Sequence, residues 1–410
     1  MLFQKLMQKV VEKGNLRIID ARGRTTECGD GSGRRCAMRL HKRLLDYKLV
    51  LNPPLYLAEA YMDGDITLDE GTLRDFIAMM ARNYQQLEHN RLVSLGFALG
   101  RHTRRLKQYN PIGKAQRNVA HHYDLSGALY DLFLDADRQY SCAYFRSGNE
   151  SLEQAQADKK LHLAAKLYLN RPGLKLLDIG SGWGGLGLYL ARAGGCEVTG
   201  VTLSTEQHKL SQERAREAGL EDRVQFHLRD YREDANRYDR IVSVGMFEHV
   251  GKKNYHEFFR KVSELLTDDG VFVLHSVGRV NDPGPVNPFI RKYIFPGTDV
   301  PTLGEVLPVI EDCMLTVTDV EVLRLHYAET LRHWEQRFQA NRDKVAELYD
   351  ERFCRMWEAY LIGCEMGFRH QGLMVFQIQI TKSISAVPQT RDYIYEWEHG
   401  HAGDASQAAE

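Results

Sequence analysis

The sequence predicts an α/β protein: a doubly wound domain with a mostly parallel sheet and helices on both faces, preceded by a smaller α+β domain. Three observations carry this. From about residue 172, short β-rich apolar runs alternate with helical segments, the pattern of βα units in a parallel sheet. One run, Leu176-Leu-Asp-Ile, ends in the turn Gly180-Ser-Gly-Trp-Gly-Gly and opens a helix. Such a turn offers bare backbone at the carboxyl edge of a sheet, where ligands lie. Residues 1–100 have another texture, a strand-like start followed by helical pattern.

Taken in order, residues 16–19 read as a strand, and 43–50, 55–62 and 73–84 as helices separated by Pro53, Pro54 and Gly64. Two glycine turns occupy 63–71, and Thr72 is placed to cap the third helix. A basic stretch (Arg101, His102, Arg104, Arg105 and Lys107) precedes Pro111 and Gly113 and marks a linker at 101–115. It is either solvated or in contact with anionic headgroups. The domain that follows is read as 116–398. Its strands are predicted at 174–179, 197–201, 224–228, 240–244 and 271–276, with helices at 184–193 and 205–219. Residues 278–310 are rich in Pro and Gly and read as a lid or insertion. Residues 316–323 are β-rich, 328–369 read as two long helices, and 375–381 as a final antiparallel strand. The tail, 399–410, is small and polar and reads as disordered.

Hydrophobic residues make up 43% of the 410, ordinary for a globular protein. A net charge of -1 gives no overall field toward nucleic acid or membrane, so any such attraction is local. Seven scattered cysteines, an odd number, argue against a disulfide framework and for a reducing compartment. No apolar run spans a bilayer and the first residues lack a signal core, so a cytoplasmic protein is expected. His121 and His122 are adjacent with no third ligand nearby, and no metal is expected.

A glycine turn of this kind serves NAD, FAD and S-adenosylmethionine sites alike. Three details favour S-adenosylmethionine. Asp178 precedes the loop, where a carboxylate attracts the amino group of a methionine moiety. No basic residue follows to grip a pyrophosphate, which this ligand lacks. Trp183 and the glycine pair crowd the turn.

The segment resembles the cyclopropane-fatty-acyl-phospholipid synthase family of class I methyltransferases, relatives of the mycolic acid cyclopropane synthases. Further blocks carry the resemblance: His122-Tyr-Asp-Leu-Ser, Tyr140-Ser-Cys-Ala-Tyr-Phe, Gly200-Val-Thr-Leu-Ser-Thr-Glu-Gln, Gly245-Met-Phe-Glu-His-Val-Gly, His275-Ser-Val-Gly, Phe289-Ile-Arg-Lys-Tyr-Ile-Phe-Pro-Gly and His326-Tyr-Ala-Glu-Thr-Leu-Arg-His-Trp. It spans roughly 115–382, and the N-terminal part is similar to the extra domain of phospholipid-acting members. The resemblance implies a seven-stranded Rossmann-like sheet. It implies S-adenosylmethionine contacts at Tyr140, Ser141, Asp178, Gly180, Gly182, Thr202, Leu203, Ser204 and Gln207, with Asp230 and Tyr231 near the adenine. Most class I methyltransferases end the second strand in an acid that holds the ribose; here Thr202-Leu-Ser stands there, as in the family.

The implied reaction places a methylene on the cis double bond of an unsaturated phospholipid acyl chain. An alkene attacking a sulfonium methyl leaves a carbocation, which needs a dry slot, aromatic faces and a placed base. Tyr123, Tyr144, Phe145, Phe247 and Tyr293 are the aromatic candidates. The family's base is a bound bicarbonate, and its cradle falls here on Cys142, Glu248, His275, the backbone of Val277, and Tyr327. Cys364 matches a family cysteine and reads as a packed neighbour of the acyl slot. The membrane substrate implies transient docking at the inner face, through Leu2, Phe3 and Leu6 with Lys5 and Lys9, or through the basic stretch. Family precedent implies a homodimer; nucleic acid is not an expected partner. Rival readings are a methyl-branching, methylene-forming or amine-directed methyltransferase on the same scaffold, and a silent lipid or S-adenosylmethionine binder.

Overall fold

The computed structural model describes residues 2–83, 127–280 and 284–403. The linker stretch at 101–115, His121, His122, Tyr123 and the last seven tail residues lie outside them. The chain divides into two compact units: Met1–Leu106 with Gly284–Pro296 and Leu331–Leu373, and Lys107–Pro283 with Gly297–Thr330 and Met374–Glu410.

The first unit opens with α1 (Leu2–Val10), β1 (Asn15–Ile19), β2 (Thr25–Cys28), β3 (Arg35–Leu40), α2 (Leu45–Leu51), α3 (Pro53–Met62), β4 (Ile66–Glu70) and α4 (Leu73–Arg82). The strands form one sheet in the order β2-β1-β3-β4. Three of the four were not legible in sequence. Each is short and flanked by turn glycines, and β4 fills the stretch read as turns; they are strands because they pair with β1 and β3. Thr72 does cap α4, in a capping box with Asp75. The expected membrane face of α1 is corrected. Phe3 and Leu6 are buried in the unit's own core and Leu2 alone of that trio is exposed.

The second unit adds α5 (Leu152–Lys166), β5 (Lys175–Ile179), α6 (Gly185–Ala193), β6 (Glu197–Thr202), α7 (Thr205–Glu217), β7 (Val224–Leu228), β8 (Tyr238–Val244), α8 (Tyr255–Leu265) and β9 (Leu266–Arg279). After β9 come α9 (Leu303–Asp312) and β10 (Thr316–Val322); the chain then enters α10 (His326–Ala340), most of which belongs with α11 (Arg342–Leu348) and α12 (Glu351–His370) to the first unit, and β11 (Leu373–Thr381) and α13 (Asp392–Gly400) complete the second. The region read as two long helices is three. It breaks at Asn341 and again before Asp350, whose carboxylate accepts from the Phe353 N–H and starts a new helix. The tail is corrected too: His399 and Gly400 close α13, and Trp397 packs onto the core.

The seven-stranded sheet runs β10-β11-β9-β8-β5-β6-β7, with β5 through β9 parallel and β10 antiparallel to β11. Successive residues of β5 alternate between the two faces. Leu176 joins a core with residues of α5 and α6, and Leu177 joins one with residues of α8 and α9. Burial on both faces is why the strands read as continuous apolar runs. The chain leaves β5 toward β6 and β7, then returns to place β8 on its other side. Such a reversal opens a crevice at the strands' carboxyl ends.

Candidate functional site

A cavity lies at that crevice, walled by the ends of β5, β6 and β8 and the loops after them. Its wall includes Tyr140, Ser141, Asp178, Gly180, Gly182, Thr202, Leu203, Gln207, Asp230 and Tyr231. Sequence reasoning named all ten. It also named Ser204, which is not on the wall: its hydroxyl accepts from the Gln207 N–H and caps α7. Trp183, which the sequence marked as crowding the turn, also lines the wall, as do Arg138, Met246 and His249, which sequence reasoning did not name. Burial holds the His249 imidazole neutral, down to about 4.

The turn is shaped by glycine where no other residue fits. Gly180 takes φ +84°, and a Cβ there would stand 2.9 Å from the Met246 Cβ. Gly180→Ala is expected to cost about 1–3 kcal/mol from backbone strain alone. Denaturant titration would show it as a lowered midpoint.

Asp178, 1% exposed at the end of β5, is the electrostatic centre of the wall. Burial raises its carboxyl to about 7, and one oxygen, Oδ2, has no hydrogen-bond partner. A buried, partnerless carboxylate oxygen on a cavity wall fits a cationic group. At the end of the adjacent strand β6, Thr202 donates to Gln207 Oε1 at 2.8 Å. That fixes the Gln207 amide with its nitrogen left to donate. The Asp230 carboxylate is occupied by Arg232, which donates from its backbone N–H and its guanidinium at 2.7–3.0 Å. These residues fit a zwitterionic, multi-polar ligand such as S-adenosylmethionine.

Beneath the wall, α5 supplies a support that sequence reasoning passed over. Lys159 is buried and donates to Gln139 Oε1 at 2.6 Å and to Ser141 Oγ at 2.9 Å. Gln156 donates to the carbonyls of the same two residues at 3.1 and 3.0 Å. Burial lowers the Lys159 ammonium to about 8. The available signal was spacing: Gln156, Lys159 and Lys160 are polar positions on a helix otherwise built for burial, and such groups need partners. Lys159→Met is expected to weaken S-adenosylmethionine binding about 10–100-fold, because it frees two part-buried acceptors on the donor loop; calorimetric titration would measure it.

The expected anion cradle flanks this wall. Cys142 follows Ser141, Glu248 precedes His249, and the Gly245 N–H donates to the His275 carbonyl at 3.0 Å. The start of α10, where Tyr327 sits, is tied to the Cys142 loop. Ala143 N–H donates to Thr330 Oγ1 at 3.0 Å and Phe145 N–H to His326 Nδ1 at 2.9 Å. Burial raises the Cys142 thiol well above its usual range. His275 is neutral, driven down to about 3 by burial, and the Gln377 amide nitrogen donates to its Nδ1 at 3.1 Å. The ring's remaining nitrogen, Nε2, is thereby its N–H donor. Glu248 is buried and raised to about 7; Oε1 accepts from the Val277 N–H at 2.6 Å and Oε2 has no partner. The Val277 N–H expected for an anion is thus taken by Glu248, a correction. The set still fits bicarbonate through the Glu248 Oε2 proton and His275 Nε2–H.

The aromatic candidates for cation stabilisation are corrected by packing. Tyr144 is stacked between His162 and His326, with centroids at 4.2 and 4.8 Å, so both its faces are covered. Phe247 is fully buried against Tyr255, Phe258 and Phe259. Tyr293 belongs to the first unit, where its hydroxyl donates to Glu59 at 2.9 Å and Lys292 sits 5.0 Å from its ring centre. Cys364 also lies in the first unit, on α12, its thiol raised by burial to about 12. A thiol in that state is a packing group at neutral pH.

Among the described residues, no cluster of three or more metal-ligating side chains occurs and no helix is long and apolar enough to cross a membrane. Residues 112–378 match the family model for mycolic acid cyclopropane synthetase, and 2–91 match a domain of unknown function. A probable fatty acid methyltransferase of Pseudomonas putida is 41% identical over 288 residues, covering 68% of this chain and 73% of its own. The cyclopropane-fatty-acyl-phospholipid synthase of Escherichia coli (strain K12) is 38% identical over 332 residues, covering 80% and 84%. The crystal structure of mycolic acid cyclopropane synthase CmaA1 complexed with SAH and CTAB superposes with a TM-score of 0.62 at 34% identity, covering 66% of this chain and 99% of that one. The class I methyltransferase fold and the extent of the match together show that this chain belongs to the mycolic acid cyclopropane synthetase family and is, by that membership, an S-adenosylmethionine-dependent methyltransferase.

Proposed function

We propose that this enzyme adds a methylene from S-adenosylmethionine across the cis double bond of an unsaturated phospholipid acyl chain, closing a cyclopropane ring. One observation supports the reading most. A buried carboxyl that titrates near neutrality, Glu248, stands with a partnerless oxygen next in sequence to the wall of a cavity suited to the methyl donor. Amine methylation needs no such group, since an amine loses its proton to water. An acyl chain holding a fresh cation must lose a proton from the added methyl inside a site closed to water.

S-adenosylmethionine, when bound, supplies an electrophilic methyl group. The protein's own work is to orient and to hold protons. Asp178 takes the donor's ammonium and Gln207 donates an amide N–H, while Lys159 keeps Ser141 and Gln139 in register. His275, neutral, offers an N–H. Glu248 moves a proton at Oε2 while the Val277 N–H pins Oε1. Bicarbonate held by these two would be the proton acceptor. The substrate class supports a cytoplasmic enzyme that docks transiently at the inner membrane face; the family resemblance supports a homodimer.

The 41%-identical fatty acid methyltransferase supports a second reading, in which the same cation ends as a methyl branch or methylene. Mass spectrometry and proton NMR of host lipids, with and without the protein expressed, separate the two. A gain of one CH₂ with loss of olefinic protons is expected. A gain of CH₂ that leaves a branch selects the second reading, and no mass change removes both.

A further inference from the structure

The structure assigns α2 of the first unit as the face that docks on anionic phospholipid, an inference that rests on the membrane substrate proposed above. Leu44, Tyr47 and Leu51 are 79%, 64% and 80% exposed. Leu44 precedes α2 with helical backbone angles, so the spacing of three and four residues lays all three along one side of the helix. The opposite side does the ordinary work of a surface helix: Leu45 and Leu49 are buried in the core. Asp46, also buried, accepts from the N–H groups of Leu2 and Phe3 at 2.8 and 3.2 Å, fastening the start of α1 against α2. That contact brings Leu2, itself 51% exposed, beside the patch. A helix apolar on its outward side as well as its inward one has an unmet partner.

Charge identifies the partner. The stretch from 41 to 51 carries Lys42, Arg43 and Lys48, and α1 contributes Lys5 and Lys9. The sole acid in those two stretches is Asp46, which is inward and engaged. Lys42 pairs with Asp65 at 2.7 Å. Arg43, Lys48, Lys5 and Lys9 form no ion pair among the described residues, and Lys48 lies 5.4 Å from the ring centre of Tyr56. A protein of net charge -1 thus concentrates unpaired cations around its exposed leucines and tyrosine. Leucine and tyrosine suit the headgroup–acyl boundary, and the cations suit lipid phosphate. A protein partner for this face would have to be acidic and apolar together; a second copy of this chain presents the same positive patch and repels it.

Co-sedimentation of the full-length protein with vesicles tests the assignment. The vesicles are equal parts phosphatidylglycerol and phosphatidylcholine, or phosphatidylcholine alone. Wild type should pellet with the anionic vesicles and be released by salt. Leu44→Gln with Tyr47→Gln and Leu51→Gln keeps helix-forming residues at exposed positions and should bind about tenfold more weakly or worse. Arg43→Glu with Lys48→Glu should abolish the preference for anionic vesicles. Both variants should turn over lipid dispersed in detergent as wild type does. Vesicle binding unchanged in both variants overturns the assignment. So does a shift of either variant from dimer to monomer in sedimentation velocity with vesicle binding intact, which would give the face to a second copy. Failure of wild type to modify dispersed lipid would instead strike the proposed reaction, and the binding result would stand apart from it.

Discussion

Replacing Glu248 with glutamine should lower turnover about 10²–10⁴-fold, the usual worth of a placed proton-transfer group, while making the ligand-free protein more stable above neutral pH. Both effects have one cause. Glu248 is buried, one oxygen is held by the Val277 N–H, and the other has no partner. Burial raises its carboxyl from the ordinary 4.5 to about 7. Between those values the folded protein binds more protons than the unfolded chain, so stability falls as pH rises through the window. Above pH 7 the cost is complete, about 3 kcal/mol from the size of the shift. Glutamine can accept the same Val277 N–H and never ionises. Melting curves of wild type and Glu248→Gln at pH 5 and pH 8 should agree at the lower value and separate at the higher, the variant melting later. Equal turnover in the two proteins would remove Glu248 from the chemistry. A variant less stable at pH 8 would mean that the carboxylate has a partner.

Asp178→Asn should weaken S-adenosylmethionine binding about 10–100-fold near pH 7.5 and erase its dependence on pH. The carboxyl sits near 7 because burial penalises its charge, although Lys159 pulls the other way. A ligand ammonium favours the ionised form, so binding below pH 7 must expel a proton. Wild-type affinity should therefore rise from pH 6 toward pH 7.5 by about threefold to tenfold, and that rise should be flat in Asp178→Asn. Calorimetry in two buffers of different ionisation enthalpy counts the proton directly. The magnitude follows from losing a charge-assisted hydrogen bond in a buried place. If wild type released no proton at pH 6, Asp178 would already be ionised without ligand.

These two residues differ in how openly the sequence displayed them. Asp178 stands between an apolar strand and a glycine turn, a local pattern that fixes its position at a sheet edge. Glu248 follows a strand as well, but its raised carboxyl arises from closure of the surrounding core, against the downward pull of the Val277 N–H on the neighbouring strand β9. The blocks that carry the family resemblance were equally local, and ten of the eleven expected donor contacts line one cavity. Ser204 lies off that wall, its hydroxyl engaged as the N-cap of α7.

Aromatic availability was not legible. Tyr144, Phe247 and Tyr293 have the right chemistry to face a cation, but a ring has two faces and neighbours claim them first. His162 and His326 cover Tyr144, Phe258 and Phe259 crowd Phe247, and Glu59 and Lys292 occupy Tyr293. Of those partners only Lys292 lies beside its ring in sequence.

The amino-acid order by itself determined the alternation of strand and helix, the glycine turn with its acid, and the resemblance that points to methyl transfer. These are properties of residues within a few positions of one another, where period and turn chemistry act directly. Tertiary structure alone decided that Phe3 and Leu6 face inward while Leu44, Tyr47 and Leu51 face out, that Lys159 bears the donor loop, and that Glu248 titrates near neutrality. Burial and pairing are set by segments that meet only after folding, and the desolvation they impose is what turns an ordinary side chain into a functional one.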